Sequence, residues 1–119
     1  MDYINMAQRQ LLNNPYQKDY PRVLFICSAG MLRSATAAHV MAGHGWNTRC
    51  VGTEEYAIQQ VCDEVLDWAQ EIYCMEQEHA DKVEKGYLNK IKVLDIPDIY
   101  VYRDPDLIKL IEDKLLGTG

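Results

Sequence analysis

Val23-Leu24-Phe25-Ile26-Cys27-Ser28-Ala29-Gly30-Met31-Leu32-Arg33-Ser34 decides the reading of this chain. Val23 to Ile26 is an unbroken apolar run with β-branched and aromatic members, the kind that fills a central parallel strand covered on both faces. Ala29-Gly30 permits a tight turn. An alanine-rich helical pattern then runs from Arg33 to about Ala42, with Gly43 and Gly45 as stop signals. Strand, loop and helix in direct succession place the loop at the carboxyl end of a parallel sheet, where open α/β folds bind ligands.

Cys27 and Arg33 bracket five residues and Ser34 follows, giving C-x5-R-S. A loop wrapped over Cys27 turns successive backbone N–H groups inward as a nest for an anion's oxygens. The helix N-terminus adds partial positive charge. Arg33, on the first turn, can fork its guanidinium onto two oxygens of a phosphate, a geometry lysine lacks. The same field favours thiolate over thiol. Nucleophile and oxyanion cradle then coincide, with Ser34 placed to donate a hydrogen bond to the sulfur.

A length of 119 residues suits one domain with a single core. The net charge of −6 argues against nucleic acid and acidic membranes as partners, since both demand a basic face. An anionic substrate is therefore drawn in locally, by the loop. No signal peptide is read at the start, where Asp2 comes early and no apolar core follows Arg9, and no run approaches membrane-span length. Cys27, Cys50, Cys62 and Cys74 lack C-x-x-C spacing and read as reduced thiols of a cytoplasmic protein. His39 and His44 have no second ligand at metal spacing, and neither a metal nor another cofactor is expected.

Outward from the central stretch, residues 1–20 form an extension in which Ile4, Ala7 and Leu11 are spaced for a short amphipathic helix ended by Asn13-Asn14-Pro15. Packing on the domain formed by residues 21–119 is its expected role, with dimerisation or covering the substrate site as alternatives. Thr48 to Val51 reads as a second strand, and the loop Gly52 to Tyr56 borders the site, with Tyr56 offered as an aromatic wall. Ile58 to Ala69 reads as a helix carrying Cys62 on its apolar face. Glu71 to Met75 is a third strand, Gln77 to Glu84 a polar helix with His79 exposed or capping, and Ile91 to Leu94 a fourth strand. Asp104-Pro105 reads as N-cap and N1 of a last helix, with Leu107, Ile108, Ile111 and Leu115 as its buried stripe. The expected fold is α/β, a single three-layer domain with a four-stranded parallel sheet flanked by helices.

Phe25-Ile26-Cys27 through Arg33-Ser34, continuing into Ala35-Thr36-Ala37, resembles the phosphate-binding loop of the low-molecular-weight protein tyrosine phosphatases. Cys50-Val51-Gly52-Thr53 is similar to that family's segment after its second strand. Ile72-Tyr73-Cys74-Met75-Glu76 with His79 is similar to its third strand and following helix. Ile96-Pro97-Asp98-Ile99-Tyr100 is similar to the acid loop that bacterial members write Ile-Pro-Asp-Pro-Tyr. The resemblance implies the family's flavodoxin-like fold and a phosphatase that forms a cysteinyl-phosphate without metal. It also implies a phosphorylated protein or small aryl phosphate as substrate and inorganic phosphate as product. The chain departs from the pattern in three places. The asparagine that braces the family's loop is missing, Leu32 stands where many members hold a second cysteine, and Ile99 stands where the acid loop has proline.

Thiolate attack on a phosphate monoester leaves an alkoxide or phenoxide, and a carboxylic acid positioned to protonate it contributes about 10²- to 10⁴-fold. Three aspartates compete. Asp104 has a sufficient role as helix cap, Asp95 stands at a strand end, and Asp98 follows Pro97 at the position of the family's acid. Asp98 is the expected acid and Asp95 the alternative. Its carboxylate then activates water against the phosphocysteine. The expected site therefore has Cys27, Arg33 and Asp98 for the chemistry. Ser28, Ala29, Gly30, Met31, Leu32, Arg33 and Ser34 surround the phosphate, with Tyr56 and either Tyr100 or Tyr102 beside the leaving group.

Other readings share the loop. Cys27 to Met31 also resembles the IIB components of the sugar phosphotransferase system, which carry phosphate on that cysteine. Those loops have no arginine at the position of Arg33 and no acid for hydrolysis, so Arg33 and Asp98 favour the hydrolase. An arsenate reductase needs two further cysteines to relay a disulfide outward; Cys62 and Cys74 supply the number, but both read as buried. A phosphate-binding module without catalysis would more often lack Cys27 or Arg33.

Overall fold

The computed structural model describes residues 22–83 and 85–117. The helix expected in residues 1–20 lies outside them. Strands β1 (Arg22–Cys27), β2 (Asn47–Gly52), β3 (Glu71–Cys74) and β4 (Ile91–Val93) form one sheet in the order β2-β1-β3-β4, and every neighbouring pair is parallel. Val23 to Ile26 are wholly buried, because β1 is interior to the sheet and helices cover both faces. The two-residue period of a strand sorts its side chains into two cores. Val23, Phe25 and Cys27 meet Ala37, Ala38 and Met41 of α1 (Arg33–Gly43) and Leu107 and Ile111 of α4 (Pro105–Leu116). Leu24 and Ile26 meet Val65 and Leu66 of α2 (Asp63–Trp68) and Ala80 of α3 (Gln77–Asp81). This is the three-layer α/β domain that the patterning implied.

Local chemistry sets the ends. Alanines 37 and 38 let α1 lie close to the sheet, and Thr48 on β2 donates its hydroxyl to Ala38 O at 2.8 Å. Asp104 caps α4, its Oδ1 accepting from Asp106 N at 2.9 Å ahead of Pro105 at N1, and Gly117 ends the helix at φ 63°. A 3-10 helix, Lys85–Lys90, leads into β4, and Lys90 Nζ donates to Leu66 O and Ala69 O at 3.0 and 2.8 Å. That cation closes the carboxyl end of α2. Among the described residues no helix is long and apolar enough to cross a membrane.

One expected helix is half as long as its pattern suggested. Ile58 to Ala69 becomes helical only at Asp63, because the preceding backbone is engaged with the end of β2. Gly52 N donates to Gln59 O at 2.8 Å, and Val61 N donates to Gly52 O at 3.0 Å. Cys62 is therefore the extended residue before α2 and is exposed, not buried on an apolar face. Gly52 also abuts the loop after β1. A Cβ there would lie 2.5 Å from Ser28 O and 2.6 Å from Ala57 Cβ. Gly52→Ala is expected to destabilise the fold by about 1–3 kcal/mol through overpacking against backbone. The measurement is a lower urea midpoint at unchanged m.

Candidate active site

Cys27 is the last residue of β1 and is 2% exposed. Its sulfur accepts from Gly30 N at 3.2 Å and lies 2.9 Å from Ser34 Oγ on the first turn of α1. Gly30 is required twice over: its φ is +71°, and a Cβ would sit 2.9 Å from Gly52 N. That turn folds the loop back over the sulfur. The segment after β2 grips the loop from outside, with Thr53 N donating to Cys27 O at 2.9 Å and Glu54 N to Ser28 O at 3.0 Å. Ala29 is half-buried, whereas Met31 and Leu32 face solvent.

Arg33 is 2% exposed, so its positive charge must be met inside the protein. Nη1 donates to Ile96 O at 2.8 Å and pairs with the Glu76 carboxylate, while Nε lies 3.7 Å from Asp98 Oδ1. The guanidinium is thus oriented by the segment following β3 and the segment following β4. Asp98 keeps a carboxylate that is 60% exposed at the mouth. The competing aspartates stand elsewhere. Asp104 is occupied as a cap, and Asp95, at φ 55°, lines a cavity of about 360 Å³ with Glu76, Gln77, Glu78 and Pro97.

His79, expected to be exposed or capping, is wholly buried and caps its helix. The first turn of α3 is pressed against the loop. Glu76 N donates to His79 Nδ1 at 3.0 Å in a capping box with the Glu76 side chain. The ring proton therefore sits on Nε2, which donates to Ser28 Oγ at 3.0 Å. A brace that the loop's own sequence lacks is supplied from β3–α3. Burial, reinforced by the Arg33 charge, holds the His79 pKa below the usual imidazole value, with Glu78 and Glu76 opposing. Ligand atoms of Glu76, Glu78 and His79 lie within 4.8 Å of one another, but both imidazole nitrogens and the Glu76 carboxylate already have protein partners.

By sequence, Glu76 and His79 belong to a strand and the helix after it, and neither has a role at the site. The legible signal was their spacing, E-x-x-H across a strand-to-helix junction, which is a capping pattern; that it also reaches Arg33 and Ser28 is visible only in three dimensions. Tyr56 is 70% exposed at the mouth, whereas Tyr100 is partly buried and packs on the α1–α4 core. The cysteines separate. Cys74 is buried on the α2–α3 face, opposite to the face that holds Cys27, and burial pushes its thiol up to about 12. Cys62 is exposed. The sheet thus stands between Cys27 and Cys74, and the disulfide relay of a reductase has no path through that pair.

No protein-family model and no curated protein matches this chain. Solved structures do, and the fold they share is that of the low-molecular-weight protein tyrosine phosphatases. The YwlE arginine phosphatase of Geobacillus stearothermophilus is 22% identical over 82% of this chain and 91% of its own, with a TM-score of 0.65. SP-PTP, the low-molecular-weight protein tyrosine phosphatase of Streptococcus pyogenes, is 14% identical over 83% and 93%, with a TM-score of 0.66. Wzb of Vibrio vulnificus, solved in complex with benzylphosphonate, is 15% identical over 82% and 96%, with a TM-score of 0.68. At these identities the likeness is one of fold.

The buried His79 makes stability pH-dependent. Its folded pKa is lowered, so the unfolded chain takes up the proton first as pH falls. The stabilisation by neutral His79 is full above the ordinary value of 6.5 and is lost as pH falls toward the lowered one. His79→Asn, which keeps an acceptor for Glu76 N, is expected to destabilise more at about pH 7.5 than at about pH 5. Urea unfolding of both proteins at the two pH values checks this.

Proposed function

We propose that this protein is a phosphatase that hydrolyses phosphate monoesters, phosphotyrosine in proteins above all, through a cysteinyl-phosphate. One observation carries the reading. The Cys27 sulfur, held by Gly30 N and Ser34 Oγ, closes one end of a loop whose other end is the buried Arg33, and the Asp98 carboxylate stands 3.7 Å from Arg33 Nε. That arrangement supports a nucleophile, an anion cradle and an acid serving one site. The benzylphosphonate held by the Wzb neighbour supports an aryl ester as the kind of group such a loop receives.

In this mechanism the loop N–H groups and Arg33 bind the phosphoryl oxygens, supplying the positive charge that a metal would otherwise bring. The Cys27 thiolate attacks phosphorus as the ester P–O bond breaks, and Asp98 gives its proton to the departing oxygen. The Asp98 carboxylate next takes a proton from water, whose oxygen attacks phosphorus. The P–S bond breaks, inorganic phosphate leaves, and Ser34 steadies the returning thiolate. Asp98 takes this role ahead of Asp95 because its carboxylate lies beside the guanidinium, 3.7 Å from Nε. No cysteine stands at Leu32 to trap an oxidised Cys27 as a disulfide, which suits a reducing, cytoplasmic setting.

The test is release of p-nitrophenol from p-nitrophenyl phosphate without added metal. Cys27→Ser is expected to abolish turnover, and Asp98→Asn to lower kcat by about 10²- to 10⁴-fold. Arg33→Lys is expected to raise KM and lower kcat together, since a point charge does not replace the fork. Wild-type protein that turns over nothing but accumulates phosphorylated Cys27 by mass spectrometry would overturn hydrolysis in favour of a phosphate carrier. Full activity in Asp98→Asn would move the acid to Asp95.

A further inference from the structure

Of the large apolar side chains that the described residues expose, all but Leu88 and Leu116 stand on three segments, those that follow β1, β2 and β4. Met31 and Leu32 lie on the phosphate loop, Tyr56 and Ile58 after β2, and Ile99, Val101 and Tyr102 after β4. All three segments leave the carboxyl edge of the parallel sheet, where the site lies. Leu32 adjoins Arg33, the segment with Tyr56 is bonded to the Cys27 and Ser28 carbonyls, and Ile99 adjoins Asp98, which is 3.7 Å from Arg33. Tyr100 packs inward on the core between neighbours that are 75% and 68% exposed, Ile99 and Val101. Of the two tyrosines that the sequence offers as a wall, Tyr100 therefore packs inward and Tyr102 is 46% exposed, beside the aliphatic Ile99 and Val101.

A free phosphate ion or a small hydrophilic phosphoester would cover none of this surface, whereas a polypeptide around the phosphoester would cover it. Beside Asp98, the carboxylates of Glu78 and Asp95 line a cavity with Pro97 and oppose acidic groups, whereas Glu76 is taken up by Arg33. We infer that the rim selects the polypeptide around the ester: the substrate is a phosphotyrosyl segment with aliphatic residues beside the phosphotyrosine and no acidic ones. Ile99 and Val101 determine that specificity. The inference deepens the phosphatase reading and rests on it.

The experiment measures kcat/KM for p-nitrophenyl phosphate and for two phosphotyrosyl peptides, one flanked by leucine and valine, the other by glutamate. It compares wild type with Ile99→Ser/Val101→Ser, two exposed positions whose substitution leaves the core intact. The aliphatic peptide is expected to exceed the acidic one by roughly tenfold or more in wild type, and the double substitution to bring the ratio near unity with p-nitrophenyl phosphate as the internal standard. Equal use of both peptides by an enzyme that turns over p-nitrophenyl phosphate would overturn the rim and leave the phosphatase standing. A preference that survives the double substitution would overturn the assignment to Ile99 and Val101. Turnover of none of the three would overturn the phosphatase reading instead. Binding of the same peptides to Cys27→Ser, followed by fluorescence anisotropy, then decides the rim by itself, equal affinities overturning it. Self-association through this face, lost in the double variant on sedimentation, would assign the rim to a second copy of the chain and also overturn the inference.

Discussion

Arg33 carries a full positive charge into a position that is 2% exposed, and the architecture of the site follows from satisfying it. A guanidinium without partners in such a place costs several kcal/mol, on the order of the penalty for any unpaired buried ion. Its partners come from elsewhere in the chain: the Glu76 carboxylate after β3, and the Ile96 carbonyl with the nearby Asp98 after β4. The order β2-β1-β3-β4 makes this possible. It sets β1 next to β3 and β3 next to β4, so three successive strands deliver their carboxyl ends to one side of the loop. The same arrangement that neutralises the charge orients it.

The other side of the loop depends on close approach instead of charge. Gly30 and Gly52 let two backbones meet at distances that a Cβ would forbid. The N–H groups of Thr53 and Glu54 take up the loop carbonyls that this contact exposes. Beneath, His79 reaches Ser28 through its Nε2. The loop is therefore fixed on three sides by parts of the chain remote in sequence, and of its own interior only the Ser28 hydroxyl takes part in the bracing. A buried neutral imidazole serves here as a donor, and its ring orientation is set by a backbone N–H of the helix turn in which it lies.

Rigid support below and an apolar rim above divide the labour of the site. Cys27, Arg33, Ser34 and His79 are buried and bonded within the protein. Ile99, Val101 and Tyr56 stay exposed. Catalytic geometry and partner choice can thus vary independently, because the residues that govern each belong to different layers of the same loops.

The central strand, the turn and the helix after it were legible in residues 23–42, because an unbroken apolar run followed by glycine and a run of alanines admits few other local structures. The Asp104-Pro105 start of α4 was legible for the same reason, since capping is a local matter. Failures came where distant backbone competed with local pattern. Val61 and Cys62 had helical spacing, but Gly52 claimed the backbone between Gln59 and Val61 and delayed the helix. Polar neighbours left His79 to solvent or to a cap; it caps, and its partner Ser28, 51 residues away, holds it inside. Tyr100 or Tyr102 read as a wall; Tyr100 packs on the core between α1 and α4, and Tyr102 is exposed. Sequence by itself determined most of the elements and the residue types at the loop after β1, which depend on neighbours a few positions apart. Tertiary structure alone decided which carboxylate meets Arg33, which imidazole braces the loop and which side chains face the mouth, since each depends on the strand order that brings separate loops together.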